Sequence, residues 1–277
     1  MAPTKPLYQS EESLRQLLTR INTVWPWSGL DEGERGLYKA GGDGTYVLET
    51  HETIFYAQGG GQPFDTGYMS VAGEGQKEAR FDVQAVRNGA EGRVLHYGRF
   101  ADGSDNTAFA EGIMVEQHID GARRDLNSRI HTAGHIVGLA VCRLATQTPE
   151  LQATDGVKAQ HYPDISFVEF NGLIDGKWKE AIQRQCTEFV EQALPVRLSW
   201  LKPEELGEHE EVILVEGMPI ITGPDGKVRI VDIVGAGAYA CGGTHVPDTS
   251  FVGELVVKGI KRQKGISKVS YAIKDKA

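Results

Sequence analysis

Residues 130–141 read Ile130-His-Thr-Ala-Gly-His-Ile-Val-Gly-Leu-Ala-Val141, an apolar run interrupted by two histidines. Such a run is typical of a buried helix, and we predict a long helix from Gly121 to Ala145. Side chains four residues apart lie on the same face of a helix. His131 and His135 therefore point the same way and can reach one ligand.

A second motif, Cys241-Gly-Gly-Thr-His245, also places two metal-binding residue types four positions apart. It lies in the glycine-rich stretch from Gly235 to Gly243, which predicts a loop that can bend tightly. The two motifs together supply three imidazoles and one thiolate, the donor number and type that Zn²⁺ prefers. We predict a Zn²⁺ site formed by His131, His135, Cys241 and His245.

Two other interpretations of these four residues stay open. They could be packing residues with no ligand, or they could form a closed structural zinc site without an open coordination position. A zincin protease is disfavoured, because Thr132, Ala133 and Gly134 separate the two helix histidines. The glutamate that acts as general base in such enzymes is therefore missing.

A third motif runs from Thr53 to Gly67 and reads Thr53-Ile-Phe-Tyr-Ala-Gln-Gly-Gly-Gly-Gln-Pro-Phe-Asp-Thr-Gly67. With the two metal motifs, it resembles the editing domain of alanyl-tRNA synthetases and the AlaX proteins that carry this domain alone. The resemblance extends from about residue 30 onward, and the medium-length AlaX form is most similar, since we expect neither an aminoacylation domain before the chain nor an oligomerisation domain after it. It implies zinc-dependent deacylation of mischarged tRNA(Ala), carrying serine or possibly glycine.

The resemblance also implies residues that contact the substrate. In the glycine motif these are Gly59, Gly60, Gly61, Gln62 and Thr66, because consecutive glycines let backbone N–H groups approach an anion or a ribose closely. The alternative is a turn-rich hairpin without a binding role. Gln160 and His161 fall where the family places residues that sense the amino acid, although a histidine at a strand edge explains His161 equally well.

The sequence identifies no catalytic side chain. A bound Zn²⁺ could polarise the ester carbonyl or activate a water molecule, and we expect the zinc-bound water to be the reacting group. Two further hypotheses from other functional classes remain. One is a zinc hydrolase of a small ester or amide, and the other is a non-catalytic binding module stabilised by zinc.

The pattern of strands and helices predicts an α+β protein with two domains. Short strand-like runs between glycine turns indicate a domain with a small β-barrel in residues 1–110. Near the start of this domain, we predict an amphipathic helix at residues 13–25. For residues 111–277 we predict a two-layer α+β zinc-binding editing domain. Its first element would be a connecting strand at residues 113–119.

The charge of the chain bears on whether tRNA is its partner. The chain has a formal net charge of −9, which is unusual for a protein that binds tRNA. Its last 27 residues are basic, however, with seven Lys and Arg against two acidic residues. The resemblance implies that four of these residues contact tRNA. We call them the hairpin cations: Lys261, Arg262, Lys264 and Lys268. A solvated strand face is the alternative.

The chain has only three cysteines, so we expect no disulfide framework. It has no apolar run of membrane-spanning length and no signal-peptide pattern. We therefore expect a cytoplasmic protein without a membrane partner. The sequence does not predict an oligomeric state.

Overall fold

The computed structural model describes residues 3–71, 79–102, 106–148, 150–151, 156–206, 212–213, 223 and 225–274. The chain divides into two compact units. The first comprises residues 1–59 and 63–124, and the second comprises residues 60–62 and 125–277. The boundary expected from the sequence, at residue 110, thus lies N-terminal to the structural boundary between residues 124 and 125, which falls inside a helix.

The first unit contains eight strands and one short helix among its described residues. They are β1 (Lys5–Pro6), β2 (Gln16–Pro26), α1 (Glu32–Gly36), β3 (Tyr46–Thr50), β4 (Glu52–Thr53), β5 (Gly67–Val71), β6 (Ala79–Asn88), β7 (Val94–Phe100) and β8 (Met114–Ile119). Six of these strands close into a barrel in the order β2-β3-β7-β6-β5-β8, which confirms the predicted barrel. The barrel encloses an apolar core that includes Leu48, Phe55 and Phe81.

Two segments of this unit differ from the sequence-based expectations. The helix predicted at residues 13–25 was wrong, because residues 16–26 form β2, which pairs with β3 and β8. Thr19 and Ile21 are buried and their neighbour Arg20 is exposed, the alternation of a strand with one face on a core. The strand expected to connect the domains, β8, instead closes the barrel by pairing with β2 and β5.

The glycine motif forms a loop whose two ends are joined. The backbone N–H of Asp65 donates to the carbonyl of Tyr56 at 3.1 Å, and the Asp65 carboxylate accepts the Tyr56 N–H at 2.8 Å. The same carboxylate forms a fully buried ion pair with Arg124. A buried charge is tolerated only when it is paired and hydrogen-bonded, so these contacts explain why Asp65 can close the loop inside the core.

The second unit contains the long helix and two sheets. Its elements, with the helix that enters it, are α2 (Gly121–Gln147), β9 (Gly156–His161), β10 (Ser166–Asn171), α3 (Lys179–Glu191), β11 (Val196–Leu201), β12 (Val212–Ile213), β13 (Val228–Ile233), β14 (Gly237–Ala240), β15 (Glu254–Gln263) and β16 (Ile266–Lys274). One sheet has the strand order β15-β16-β10-β9 and the other has β11-β13-β14-β12.

The core of this unit lies between the helices and the first sheet, as in a two-layer α+β domain. Ile136 and Val137 of α2, Phe189 of α3, and Phe170 and Val269 of the sheet belong to one buried cluster. Residues 130–141 of α2 are all buried, which agrees with an apolar run around the whole helix. The α+β prediction is thereby confirmed.

No helix within the described ranges is long and apolar enough to cross a membrane. The three cysteines, Cys142, Cys186 and Cys241, form no disulfide bond.

Candidate metal centre and adjoining cavity

The four predicted ligands come together in the second unit. His131 and His135 project from adjacent turns of α2, while Cys241 and His245 bound the segment that follows β14, which we call the metal loop (residues 241–245). One donor atom from each of the four lies within 4.8 Å of the others. The Cys241 Sγ lies 3.4 Å from His131 Nε2 and 3.6 Å from His245 Nε2.

Two of the histidines are oriented by hydrogen bonds to their other ring nitrogen. His131 Nδ1 lies 2.6 Å from Gln62 Oε1, which also accepts the Thr244 N–H at 3.0 Å. His245 Nδ1 lies 3.1 Å from the Thr132 hydroxyl, whose proton goes to the carbonyl of Ser128. Both partners therefore accept, so both histidines are protonated on Nδ1. Their Nε2 lone pairs face Cys241, the arrangement found around ligating histidines.

His135 provides an independent test of whether the residues fit a metal. Its Nδ1 is buried and has no hydrogen-bond partner among the described residues. Its ring packs against Tyr239 at 4.6 Å between centroids. A buried polar atom without a partner is costly, and a metal ligand bond would relieve that cost. Together with the Cys/His donor set, this feature fits Zn²⁺.

Burial keeps the three histidines in the form that a metal requires. Removal from water lowers the pKa of His131, His135 and His245 well below the usual value, and neighbouring positive groups, including Arg229, lower it further. The imidazoles are thus neutral at neutral pH. Because a metal binds only a deprotonated ring nitrogen, a neutral imidazole can act as a ligand without first losing a proton.

The metal loop is held by a residue that no sequence motif indicated. The side chain of Arg229 is fully buried and donates to the carbonyls of Cys241 at 2.7 Å and Gly243 at 3.0 Å. Gly243 itself packs against the His131 ring, where an added Cβ would overlap the imidazole. The loop conformation thus depends on a long-range arginine and on the absence of a side chain.

A small cavity of about 50 Å³ adjoins three of the four donor residues, His131, His135 and Cys241. The described residues that line it include Gly60, His131, His135, Lys158, His161 and Tyr239. The His161 ring stacks on His131 with 4.3 Å between centroids, and burial lowers the pKa of His161 to about 3. A space of this size is large enough for an ordered water molecule or a small chemical group.

The predicted substrate residues divide into those at the cavity and those elsewhere. Gly60 and His161 line it. Gln62 is fully buried, and its side chain contacts His131 and Thr244. Gly61, at a φ of +77°, packs against the backbone of Ala159, where a Cβ would overlap the carbonyl.

Gly59, Thr66 and Gln160, like Gly61 and Gln62, are not among the residues that line the cavity. Gln160 is half-buried on β9. Gly59 and Thr66 belong to the first unit, where their carbonyls accept hydrogen bonds from the Tyr56 hydroxyl and the Asp120 N–H.

The hairpin cations lie on β15, β16 and the turn between them, where Lys264 and Gly265 both have positive φ. Two of them already have carboxylate partners, since Arg262 pairs with Asp175 at 3.2 Å and Lys268 pairs with Glu169 at 3.4 Å. Lys268 also lies 3.6 Å from the centroid of the Phe167 ring. Lys261 and Lys264 are exposed, and Lys261 sits directly opposite Lys268 in the hairpin.

Parts of this chain are similar to known proteins. Residues 228–270 match the family model described as the threonyl and alanyl tRNA synthetase second additional domain. The alanine–tRNA ligase of Methanopyrus kandleri is 31% identical over 242 residues, which are 86% of this chain and 24% of the ligase. The corresponding enzyme of Natronomonas pharaonis is 32% identical over 241 residues, again 86% of this chain and 24% of the ligase.

The alanine–tRNA ligase of Pyrococcus abyssi is 30% identical over 277 aligned residues, 97% of this chain and 26% of the ligase. The chain thus spans about a quarter of the length of the curated relatives that it matches. It is homologous to a part of alanine–tRNA ligases, and the metal loop and the C-terminal hairpin turn lie within residues 228–270, which match the second additional domain.

Proposed function

We propose that this protein hydrolyses the ester bond of mischarged tRNA(Ala), with seryl-tRNA(Ala) as the main substrate and glycyl-tRNA(Ala) as a second one. The observation that carries the proposal is the convergence of four buried Cys and His donors, two of them oriented by Gln62 and Thr132, beside a small cavity. Similarity to alanine–tRNA ligases supports tRNA(Ala) as the partner.

His131, His135, Cys241 and His245 would hold the Zn²⁺ ion. When bound, Zn²⁺ supplies Lewis acidity toward an ester carbonyl or a water molecule. The ester between an amino acid and a ribose is already activated, so this help is sufficient for hydrolysis. No Asp or Glu is among the described residues that line the cavity. A carboxylate general base is therefore not part of the proposal.

The cavity is compatible with a small amino acid. A group the size of a seryl or glycyl side chain fits a space of about 50 Å³. Lys158 is exposed and lies at this cavity, so its positive charge supports an approach of the tRNA 3′ end to this side of the protein. Such a charge attracts the phosphate backbone without reading its sequence.

Deacylation of tRNA(Ala) charged with serine, glycine or alanine, measured beside a panel of small esters, tests the proposal. We expect the seryl ester to be cleaved far faster than the alanyl ester, because a site that binds a hydroxyl group rejects the analogue without one by a large factor. Equal rates on both would refute editing of serine.

The same assay separates the alternatives. Activity on small esters alone would favour a hydrolase recruited to a small ester or amide. Inactivity on every substrate in a protein that carries one zinc per chain would favour the non-catalytic binding module.

A further inference from the structure

Two arginines of the first unit lie against one aromatic ring. The guanidinium carbon of Arg87 is 4.5 Å from the centroid of the Phe64 ring, and that of Arg123 is 5.2 Å from it. Phe64 belongs to the glycine motif, and all three residues belong to the first unit. The π electrons of a ring attract a guanidinium group, so Phe64 helps to hold both positive charges in place.

Backbone carbonyls fix the two guanidinium groups further. Arg123 Nε donates to the carbonyl of Phe64 at 2.9 Å. Arg87 Nε donates to the carbonyl of Leu37 at 3.0 Å, and its Nη1 donates to the carbonyl of Val86 at 2.9 Å. These acceptors are neutral, so they orient the guanidinium groups without balancing their charge. Groups held in this way lose little entropy when they bind a ligand.

The terminal amino groups of Arg123 have donors to spare. Nη1 and Nη2 of this residue make no hydrogen bond or ion pair with any residue that the structure describes. The side chain is nevertheless half-buried. Partly buried donors that lack a protein acceptor are completed by water or by a ligand. Arg123 therefore presents a fixed pair of amino groups to an external acceptor.

The next residue of α2 shows the opposite arrangement. Arg124 is fully buried and forms an ion pair with Asp65. The carboxylate close to Arg123 is that of Asp120, which accepts the backbone N–H of Arg123 at 3.0 Å and thus caps the helix. The Arg123 guanidinium group has no carboxylate partner among the described residues. The acceptor that it lacks is an anion.

We propose that Arg123 binds a backbone phosphate group of the tRNA, and that Phe64 is the positioning residue that holds its guanidinium group. The planar guanidinium group offers parallel N–H donors that match two oxygens of a phosphate. Arg87 brings a second positive charge to the same ring. This inference rests on the proposed function for the choice of tRNA as partner, and it assigns a tRNA contact outside the hairpin cations.

Binding of uncharged tRNA(Ala), measured by fluorescence anisotropy over a series of salt concentrations, tests the contact without any hydrolysis. Arg123→Gln removes one charge, so we expect about three- to tenfold weaker binding and a log–log salt slope lower by about one unit. Arg123→Lys keeps the charge but not the paired donors, so it should keep the slope and recover only part of the affinity. Phe64→Leu keeps both charges and should lower the affinity without changing the slope.

Arg20→Gln is the matched control, because it makes the same change at an exposed position of the same unit. We expect it to leave both quantities close to those of the unaltered protein. Urea unfolding shows whether each variant is folded, and Arg123→Met gives a second neutral variant that keeps an unbranched stem beside Phe64. An affinity and a salt slope equal to those of Arg20→Gln, in either folded variant, would overturn the inference.

Two further measurements separate the source of the phosphate and the proposed function. Titration calorimetry with inorganic phosphate tests for a free anion: saturable binding that Arg123→Gln abolishes, together with an unchanged tRNA affinity, would overturn the contact with tRNA. Deacylation of seryl-tRNA(Ala) by the unaltered protein tests the proposed function separately. A protein that cleaves no aminoacyl-tRNA, but whose tRNA binding depends on Arg123, would refute the hydrolysis and support the contact.

Discussion

Replacement of Gln62 by leucine is the sharpest test of how the metal centre is supported. Gln62 accepts hydrogen bonds from His131 Nδ1 and the Thr244 N–H, and donates one to the Thr244 hydroxyl at 2.9 Å. Leucine has a similar volume but makes none of these bonds. The substitution therefore leaves two buried donors without acceptors and frees the orientation of the His131 ring.

The structure sets the size of the expected effect. Loss of an outer hydrogen-bond partner of a metal ligand typically weakens metal affinity about 10–100-fold. Each buried donor left unpaired costs about 1–3 kcal/mol, so we expect the free energy of unfolding of the metal-free protein to fall by about 2–6 kcal/mol. Chelator competition measures the zinc Kd, and urea unfolding measures the stability.

Two matched variants make the result interpretable. Gln62→Glu keeps an oxygen that can accept from His131 and the Thr244 N–H, so it should retain most of the zinc affinity. Gln263→Leu makes the same glutamine-to-leucine change at an exposed position of the same unit and should alter neither quantity. A zinc Kd for Gln62→Leu equal to that of Gln263→Leu would refute the orienting role of Gln62.

Three other perturbations separate the metal, the tRNA contact and the barrel. The protein should carry about one zinc per chain by elemental analysis, and Cys241→Ala should weaken binding by more than about 100-fold because it removes a ligand; full occupancy would exclude Cys241 from the site. Neutralising all four hairpin cations should lower the log–log salt slope of tRNA binding by about two units rather than four, because Arg262 and Lys268 already have carboxylate partners; an unchanged slope would place the tRNA contact elsewhere. Burial lowers the pKa of His96 in the barrel to about 4, so the unfolded chain binds the extra proton and stability falls as the pH drops from about 6.5 to about 4. His96→Leu should reduce this dependence by up to about 1.4 kcal/mol per pH unit in urea unfolding, and an unaltered pH profile would contradict a neutral buried His96.

The sequence alone predicted the four clustered donors and the α+β architecture. Both rest on local information. Histidines four apart on an apolar helix share a face whatever surrounds them, and Cys and His are chemically distinctive wherever they occur. The barrel was predictable for a similar reason, because short strand-like runs between glycine turns persist along the chain.

The tertiary structure decided the features that depend on distant partners. Residues 16–26 have a composition that permits a helix, but pairing with β3 and β8 makes them a strand. Gln62 lies in a motif that suggests substrate contact, yet burial beside His131 turns it into a support for a ligand. His161 Nδ1 lies 2.6 Å from the hydroxyl of Tyr271, which is 110 residues away in sequence. Hydrogen bonding and burial between residues far apart in the chain leave no local pattern, and for that reason only the folded protein specifies them.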